Sequence, residues 1–486
     1  MVLKLSDRTG FVLALLVFIY ARFLSYGACL PYDDAYITFL YAENLADGVG
    51  FVFNAGERVL GTTTPLYALL ASGIYALGFN LVKTMPIVNL LAEIGILTLA
   101  WHILLRRQSV VVKLLFASFL TVSPTSGNVS ASAMETPVFT LTVMASMVFA
   151  SRRNMAASGV LAAISYFIRP EGVLAAAVVT LDRFRKGDRK GFWMSATVCA
   201  SIAALGAVMT YAYFGSIFSQ TIIAKTLRNP GDEFYQRLFC REPVQILSFI
   251  LALVGVRTAW KKEASLRLFL MFCGAYLLAY ILVHPWIRIW YVYPPYIGIF
   301  LCAAIGVQEL ANRIRFKKLQ ALSLPLLIAS VIASRVLWLE IYPRSAYSKQ
   351  KQYDNVYAPL KAWCRAEKPK SIFAADVGQL GYFCRQAYIM DASALVWKPA
   401  LGYITESDGF IRVIEDFKPA YVFSNNVKWQ TMQMRLLQDQ YTPYRRFSYD
   451  GNVKIQDMSK MYEESDYQRW SPDYYLYKRK AGADKK

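Results

Sequence analysis

Histidine is nearly absent: His102 and His284 are the only two in 486 residues, which excludes a histidine-rich metal site. The seven cysteines are scattered, mostly through apolar runs. They form neither a CxxC pair nor a Cys/His spacing that would bind zinc or exchange disulfides. No internal repeat is visible, so the paired halves typical of many transporters are missing. The one low-complexity tract is the terminal "KRKAGADKK". Acidic residues are scarce, 33 against 53 Lys and Arg, leaving a net charge of +20.

What the chain has in abundance is apolar surface. Hydrophobic residues make up 56% of it and mean hydropathy is +0.32, well above a soluble composition. Apolar runs recur from residue 11 to residue 341 and then stop. A bilayer core takes about 20 apolar residues per helix, so the chain reads as a polytopic membrane protein. The first run is followed by many others, which marks it as a retained helix rather than a cleaved signal.

A charge of +20 first suggests nucleic acid, but its distribution argues against that partner. Residues 1–344 hold 31 of the 53 Lys and Arg, and 20 of those 31 fall in the N-terminus and five short links. That is the positive-inside pattern. It puts the N-terminus in the cytoplasm and takes helix 1, about 11–30, outward. A long outside loop, 31–83, follows. Its segment "TTTPLYALLASGIYAL" (62–77) is apolar but short, and crossing there would leave Arg106 and Arg107 outside. It therefore reads as an interfacial helix. Further crossings are expected near 84–105, 110–124, 136–150, 155–169, 171–182, 192–214, 243–259, 266–283, 289–310 and 319–341, about eleven in all. An odd number places the tail, 345–486, outside the membrane.

The tail differs in character. It carries 22 Lys/Arg against 16 Asp/Glu and short mixed elements. "SIFAADVGQLGYF" reads as a strand, a Gly turn and an aromatic strand or helix start; for "DVGQLGY" a role in holding the acceptor and a purely fold-forming strand–turn are the two alternatives. "AYIMD" and "AYVFS" read as buried strands. "DGFIRVIEDFKP" reads as an amphipathic helix stopped by proline. The expected architecture is an α-helical membrane domain, 1–344, with an extracytoplasmic α/β domain, 345–486. Cys364 and Cys384 share that tail and could pair; two free thiols are the alternative.

Polar residues concentrate at the outer ends of the expected helices. Asp33 and Asp34 open "DDAYITFLYAENLADG", whose apolar residues have helical spacing and whose Gly48 is a natural stop. One aspartate serves as an N-cap; the second is unexplained. Glu135 stands before Pro137, where the helix dipole favours an acid. Arg169 and Glu171, in "RPEG", suit an ion pair joining two short helices. Lys225 and Arg228 lie in a long outside loop, 215–242, and Arg288 lies among aromatics in "VHPWIRIWYVYPP", beside His284. Basic residues outside run against the charge bias, and an anionic lipid head group would account for them. Arg22 and Glu93, inside the apolar segments, are what a transporter or lipid flippase would show, although Glu93 also suits a pair within the bundle.

Five stretches, "DDAYITFLYAENLADGVGFVFNAGERVLGTTTPL" (33–66), "METPVF" (134–139), "RPEG" (169–172), "FGSIFSQTIIAKT" (214–226) and "DVGQLGYF" (376–383), together resemble the GT-C class of membrane glycosyltransferases. The nearest type is that of the mycobacterial terminal arabinofuranosyltransferases and pilin arabinosyltransferases; aminoarabinose transferases of lipid A and protein O-mannosyltransferases are more distant. The chain departs from the pattern at Leu40, Ala133 and Ser219, where relatives often carry arginine, glycine and proline. The resemblance implies a polyprenyl-phosphate sugar donor and an acid of the first outside loop as base. By motif that base is Asp33, with Asp34 beside it binding acceptor, a divalent cation or a basic partner. Lys225, Arg228 and Arg288 would hold the donor phosphate, supported by Glu135, Arg169, Glu171, Thr221 and His284. The resemblance further implies a bacterial inner-membrane location and a glycan or protein acceptor, with membrane lipids as the other contacts. No cofactor is certain.

Overall fold

The computed structural model describes residues 5–227, 242–285, 287–315, 319–341, 349–425, 434, 436–448 and 474–483. It opens with helix α1, Asp7–Ala28, capped by Ser6, whose hydroxyl accepts the Thr9 N–H. Next come α2 (Asp33–Ala46), α3 (Pro65–Ala76), α4 (Leu81–Leu99), α5 (Val110–Val122) and α6 (Pro124–Ala131). Then follow α7 (Thr136–Ser151), α8 (Met155–Ile168), α9 (Gly172–Arg185), α10 (Arg189–Phe214) and α11 (Gln220–Leu227). The last long apolar helices are α12 (Pro243–Lys262), α13 (Ala264–Val283), α14 (Tyr293–Arg313) and α15 (Ser323–Arg335).

A helix stands at each of the eleven expected crossings. Seven helices among the described residues are long and apolar enough to span a bilayer, or eight if the α5–α6 pair, bent by 63°, is counted as one span. α7 and α8 are apolar but shorter, and α9 carries charges in its last turn. The long spans divide by burial. The segment Ile289–Arg313 has 83% of its apolar window covered by other parts of the chain and forms the centre; α10 has 6% covered and faces outward. α12 and α14 approach each other backbone to backbone: a Cβ on Gly255 would lie 2.0 Å from the Cys302 carbonyl, and one on Gly306 2.0 Å from that of Leu251. Without a hydrophobic drive between helices in lipid, such small-residue contacts let dispersion hold them.

The tail builds a five-stranded sheet in the order β2-β1-β3-β5-β4. Its strands are β1 (Ser371–Ala374), β2 (Tyr388–Asp391), β3 (Tyr421–Asn425), β4 (Tyr441–Phe447) and β5 (Tyr474–Arg479). β1 runs parallel to β2 and β3, while β5 is antiparallel to β3 and β4. The "SIFAADVGQLGYF" segment resolves into β1 and a short helix, α18 (Gly378–Phe383); before it come α16 (Lys349–Gln352) and α17 (Ala358–Glu367), and after it α19 (Gly409–Phe417). The expected amphipathic helix is α19, ended at Lys418 with φ 48° just before Pro419. Cys364 and Cys384 form a disulfide with 5.4 Å between their Cα atoms, stapling α17 to the end of α18.

Helix α2 packs against α18 of the tail, and the loop that follows α2 reaches β2 through Asn54 and Glu57. The Asn54 side chain bonds the edge of β2: its Nδ2 donates to the Ile389 carbonyl at 2.9 Å and its Oδ1 accepts the Ile389 N–H at 3.0 Å. Tyr382 donates to Glu43 at 2.6 Å, and Arg385 reaches Asn44 at 2.9 Å and Asp47 at 2.6 Å. Helix α2 and the tail come into close contact at Gly378, where a Cβ would lie 1.8 Å from the Asp33 carbonyl oxygen. Gly378→Ala is therefore expected to destabilise the docked tail by about 1–3 kcal/mol, read as a lower Tm and faster proteolysis of the tail. Gly402→Ala, where nothing lies within 4 Å, serves as the unaffected control.

Candidate functional site

One correction concerns the cap. The residue at the N-cap of α2 is Tyr32, not an aspartate, and no side chain bonds there; both acids sit inside the first turn. A favourable helix dipole suits both of them, but their side chains part company.

Asp33 turns toward the tail. Its Oδ2 accepts the Gly378 N–H at 2.9 Å and its Oδ1 the Gln379 N–H at 2.7 Å. These are among the N–H groups that the first turn of α18 leaves without helical partners. The contact falls at the carboxyl end of β1, which pairs with β2 on one side and β3 on the other. Burial pushes the Asp33 carboxyl up to about 7, with the Asp376 and Asp34 charges adding to the rise and the two amides opposing it.

Asp34 turns the other way, into a cleft. With it the cleft is lined by Thr62, Thr63 and Thr64 of the loop, Glu135, Arg169, Thr221 and Lys225, and Trp290 and Tyr291. Thr221 anchors the α11 side of the wall by donating its hydroxyl to the Gly61 carbonyl, while the Gln220 N–H donates to that of Leu60 at 2.8 Å. Lys225 donates to the Tyr291 hydroxyl at 3.1 Å. Burial works against its ammonium, but Tyr291 and Asp34 outweigh that and raise its pKa, with Arg288 opposing.

Behind Lys225 lies a charged cluster. Arg169 bonds Glu135 with one terminal nitrogen, and Glu171 with the other at 2.8 Å and with Nε at 3.2 Å. Its guanidinium also lies 4.6 Å from the centre of the Tyr291 ring, a cation–π distance. Tyr280 donates to Glu171. The two carboxylates sharing Arg169 are not equivalent. Burial pushes Glu135 up despite Arg169. Glu171 faces the Tyr280 hydroxyl as well as Arg169, whereas Glu135 has Arg169 alone among these two.

Five of the ten residues singled out in the sequence thus line one cleft: Asp34, Glu135, Arg169, Thr221 and Lys225. Glu171 supports it from behind. Arg288 precedes the short helix Ile289–Val292 and acts on Lys225 through its charge. His284 ends α13 with φ 48° and is not in the lining. Arg228 lies outside the described residues. Tyr291, Trp290 and the threonine run were not singled out. "GTTTP" sits within the first matched stretch, so that signal was present; Tyr291 looked like one more aromatic at a membrane boundary. No group of three His, Cys, Asp or Glu that could hold a metal occurs among the described residues. Asp34 shares its cleft with Lys225 and Arg169, which does not suit a divalent cation.

No protein-family model matches the chain, and no curated protein matches it. Solved structures do. The chain is similar to ArnT from Cupriavidus metallidurans bound to undecaprenyl phosphate, with a TM-score of 0.61, 11% identity, and 97% of this chain and 98% of that one covered. It is similar to the same protein in the apo state with a TM-score of 0.54, 14% identity, and coverage of 90% and 97%. At these identities the likeness is one of fold over the full length, bundle and tail together.

The burial of Asp33 has a measurable consequence. A carboxyl near 7 in the folded state, against 3.8 for the unperturbed group, binds its proton more tightly folded than unfolded. Its contribution to stability is therefore complete at acid pH and declines as pH rises from about 4 to about 7. Asp33→Asn removes that slope, so the variant should gain on the wild type across this window when Tm is followed against pH.

Proposed function

We propose that this chain is a membrane glycosyltransferase of GT-C type, moving a sugar from a polyprenyl-phosphate donor to an acceptor hydroxyl on the outer face of a bacterial inner membrane. The observation that carries it is the cleft itself: a carboxylate, Asp34, and a charged lysine, Lys225, face one space at the end of the bundle that bears the tail. The undecaprenyl phosphate held by ArnT, a protein of the same fold, supports a lipid phosphate as the donor's carrier.

In this reading Asp34 is the base. It accepts a hydrogen bond from the acceptor hydroxyl and takes its proton as the oxygen bonds to the anomeric carbon. The bond from that carbon to the phosphate oxygen breaks with its electron pair, and the lipid phosphate leaves. Lys225 spends one of its three N–H groups on Tyr291. The others are available to the phosphate oxygens as charge builds on them, where a fixed cation acts most strongly. Arg169, neutralised by two glutamates, shapes the wall and holds Tyr291 rather than binding phosphate directly. Arg288 adds positive charge nearby. A single displacement of this kind inverts the anomeric centre.

Asp33, the base implied by the motif, then acts as the tie between loop and tail. The eleven crossings, the inside N-terminus and a tail beginning near residue 345 complete the proposal. Arabinofuranose is favoured among sugars by the resemblance alone, and a hexose fits the same chemistry; cell-envelope glycan, lipopolysaccharide and pilin are the acceptor classes.

Purified protein given a panel of polyprenyl-phosphate sugars and envelope acceptors should transfer one sugar with inversion. Lys225→Met should lower kcat/KM by about 10²-fold or more. Movement of the lipid head group across the bilayer without transfer would identify a flippase instead.

A further inference from the structure

A second set of buried polar side chains lies deeper in the bundle and does not line the cleft. Arg22 of α1 and Glu93 of α4 are both fully buried and paired, with Nε 2.7 Å from Oε2. An ion pair in the interior of an apolar bundle needs a reason. Pro124 supplies one. It has no N–H, so the Leu120 carbonyl, four residues earlier, loses its helical partner, and the chain bends by 63° between α5 and α6. Arg22 Nη2 donates to that carbonyl at 3.1 Å and to the Ser126 hydroxyl at 2.6 Å. Ser126 donates to Glu93 at 3.3 Å, and Tyr293 donates to it at 2.8 Å. Irregular backbone at membrane depth is tolerated only when its polar groups are met in this way.

One helical turn further, the pattern repeats on the same three helices. Tyr26 stands four residues after Arg22, Ser130 four after Ser126, and Asn89 four before Glu93, so each pair shares a helix face. Tyr26 donates to the Pro86 carbonyl at 2.7 Å and lies 2.9 Å from the Ser130 hydroxyl. The Asn89 amide donates to the carbonyls of Ser130 at 3.1 Å and Met134 at 2.9 Å. Tyr67 donates to the Ala133 carbonyl at 3.1 Å. Ala133 itself has φ 57°, a left-handed conformation that a non-glycine residue keeps only when its surroundings impose it. The next residue but one is Glu135, bonded to Arg169 in the cleft wall.

We infer that these two rungs, Arg22–Glu93–Ser126 and Tyr26–Asn89–Ser130, are a positioning device. They hold the bent helix α6 and force the turn behind it, so that Glu135 is delivered to Arg169. Asn89 is a positioning residue: its amide grips both the last turn of α6 and the carbonyl just before Glu135, and its oxygen accepts from the Tyr67 hydroxyl at 3.3 Å. The consequence for catalysis rests on the transferase reading; the consequence for the turn does not.

The test uses full-length protein in nanodiscs, with undecaprenyl phosphate as the probe. Asn89→Leu should speed hydrogen exchange of the Ser132–Thr136 amides at least tenfold and weaken undecaprenyl phosphate binding at least tenfold. Asn89→Leu combined with Glu135→Gln should bind no more than twofold worse than the weaker single variant, because both act through one element. Unchanged exchange in Asn89→Leu overturns the positioning role whatever the lipid does. Faster exchange with unchanged binding, or additive losses in the double variant, overturns the link to the cleft. A wild type that does not bind the probe refutes the donor reading, and exchange then decides the inference alone. If Asn89→Leu does not insert, Tyr26→Phe removes one hydroxyl of the same rung and should show the same two changes in smaller measure.

Discussion

The arrangement depends on one carboxylate meeting two backbone amides. Asp33 accepts from Gly378 and Gln379 across 345 residues of chain, and the space it needs is kept open by a glycine. That bond docks α18 of the tail on α2 and fixes the rotation of the first turn of α2. Because the next residue of a helix points about 100° away, anchoring Asp33 in the tail aims Asp34 into the cleft. Two adjacent acids at the end of a membrane helix are thus two different groups. One completes the end of another helix, and the other faces Lys225 in a cleft lined by carboxylates, hydroxyls and rings.

Charge in that cleft is arranged in layers. Arg169 is consumed by Glu135 and Glu171, and its ring contact with Tyr291 passes this order forward to Lys225. Lys225 keeps its charge because Tyr291 and Asp34 outweigh its burial. In the proposed transferase that cation would meet the donor phosphate, and the carboxylate beside it the acceptor hydroxyl. The buried pair Arg22–Glu93 belongs to a different layer. It meets a carbonyl that Pro124 strands, and this explains why charged residues lie in an apolar bundle that shows no repeat.

Much of this was legible in the chain. The basic links fixed the helices in order, because charge at a membrane boundary is costly to misplace. "AYIMD", "AYVFS" and "DGFIRVIEDFKP" were readable because alternation and helical spacing report burial directly. The adjacent aspartates, Glu135, Arg169 and Lys225 stood out as polar groups at expected helix ends. The partner of Asp33 did not, since a side chain bonding to distant backbone leaves no periodic trace. Asn54 pairing with β2 was hidden for the same reason. Tyr32, rather than an acid, at the N-cap of α2 shows that the tail's amides compete for a carboxylate that local rules assign to its own helix. Tyr291 was masked by the aromatic belt, which supplies so many tyrosines at that depth that one with a task looks like the others.

The most direct measurement separates the two aspartates. Asp33→Asn and Asp34→Asn would be compared for undecaprenyl phosphate binding and for the rate of sugar transfer from a polyprenyl-phosphate donor. The account predicts that Asp34→Asn binds the lipid within a few-fold of wild type yet loses about 10²–10⁴ in kcat. Asp33→Asn should keep most of its kcat while the tail becomes easier to cleave. Full transfer by Asp34→Asn, with transfer lost in a well-folded Asp33→Asn protein, would contradict it.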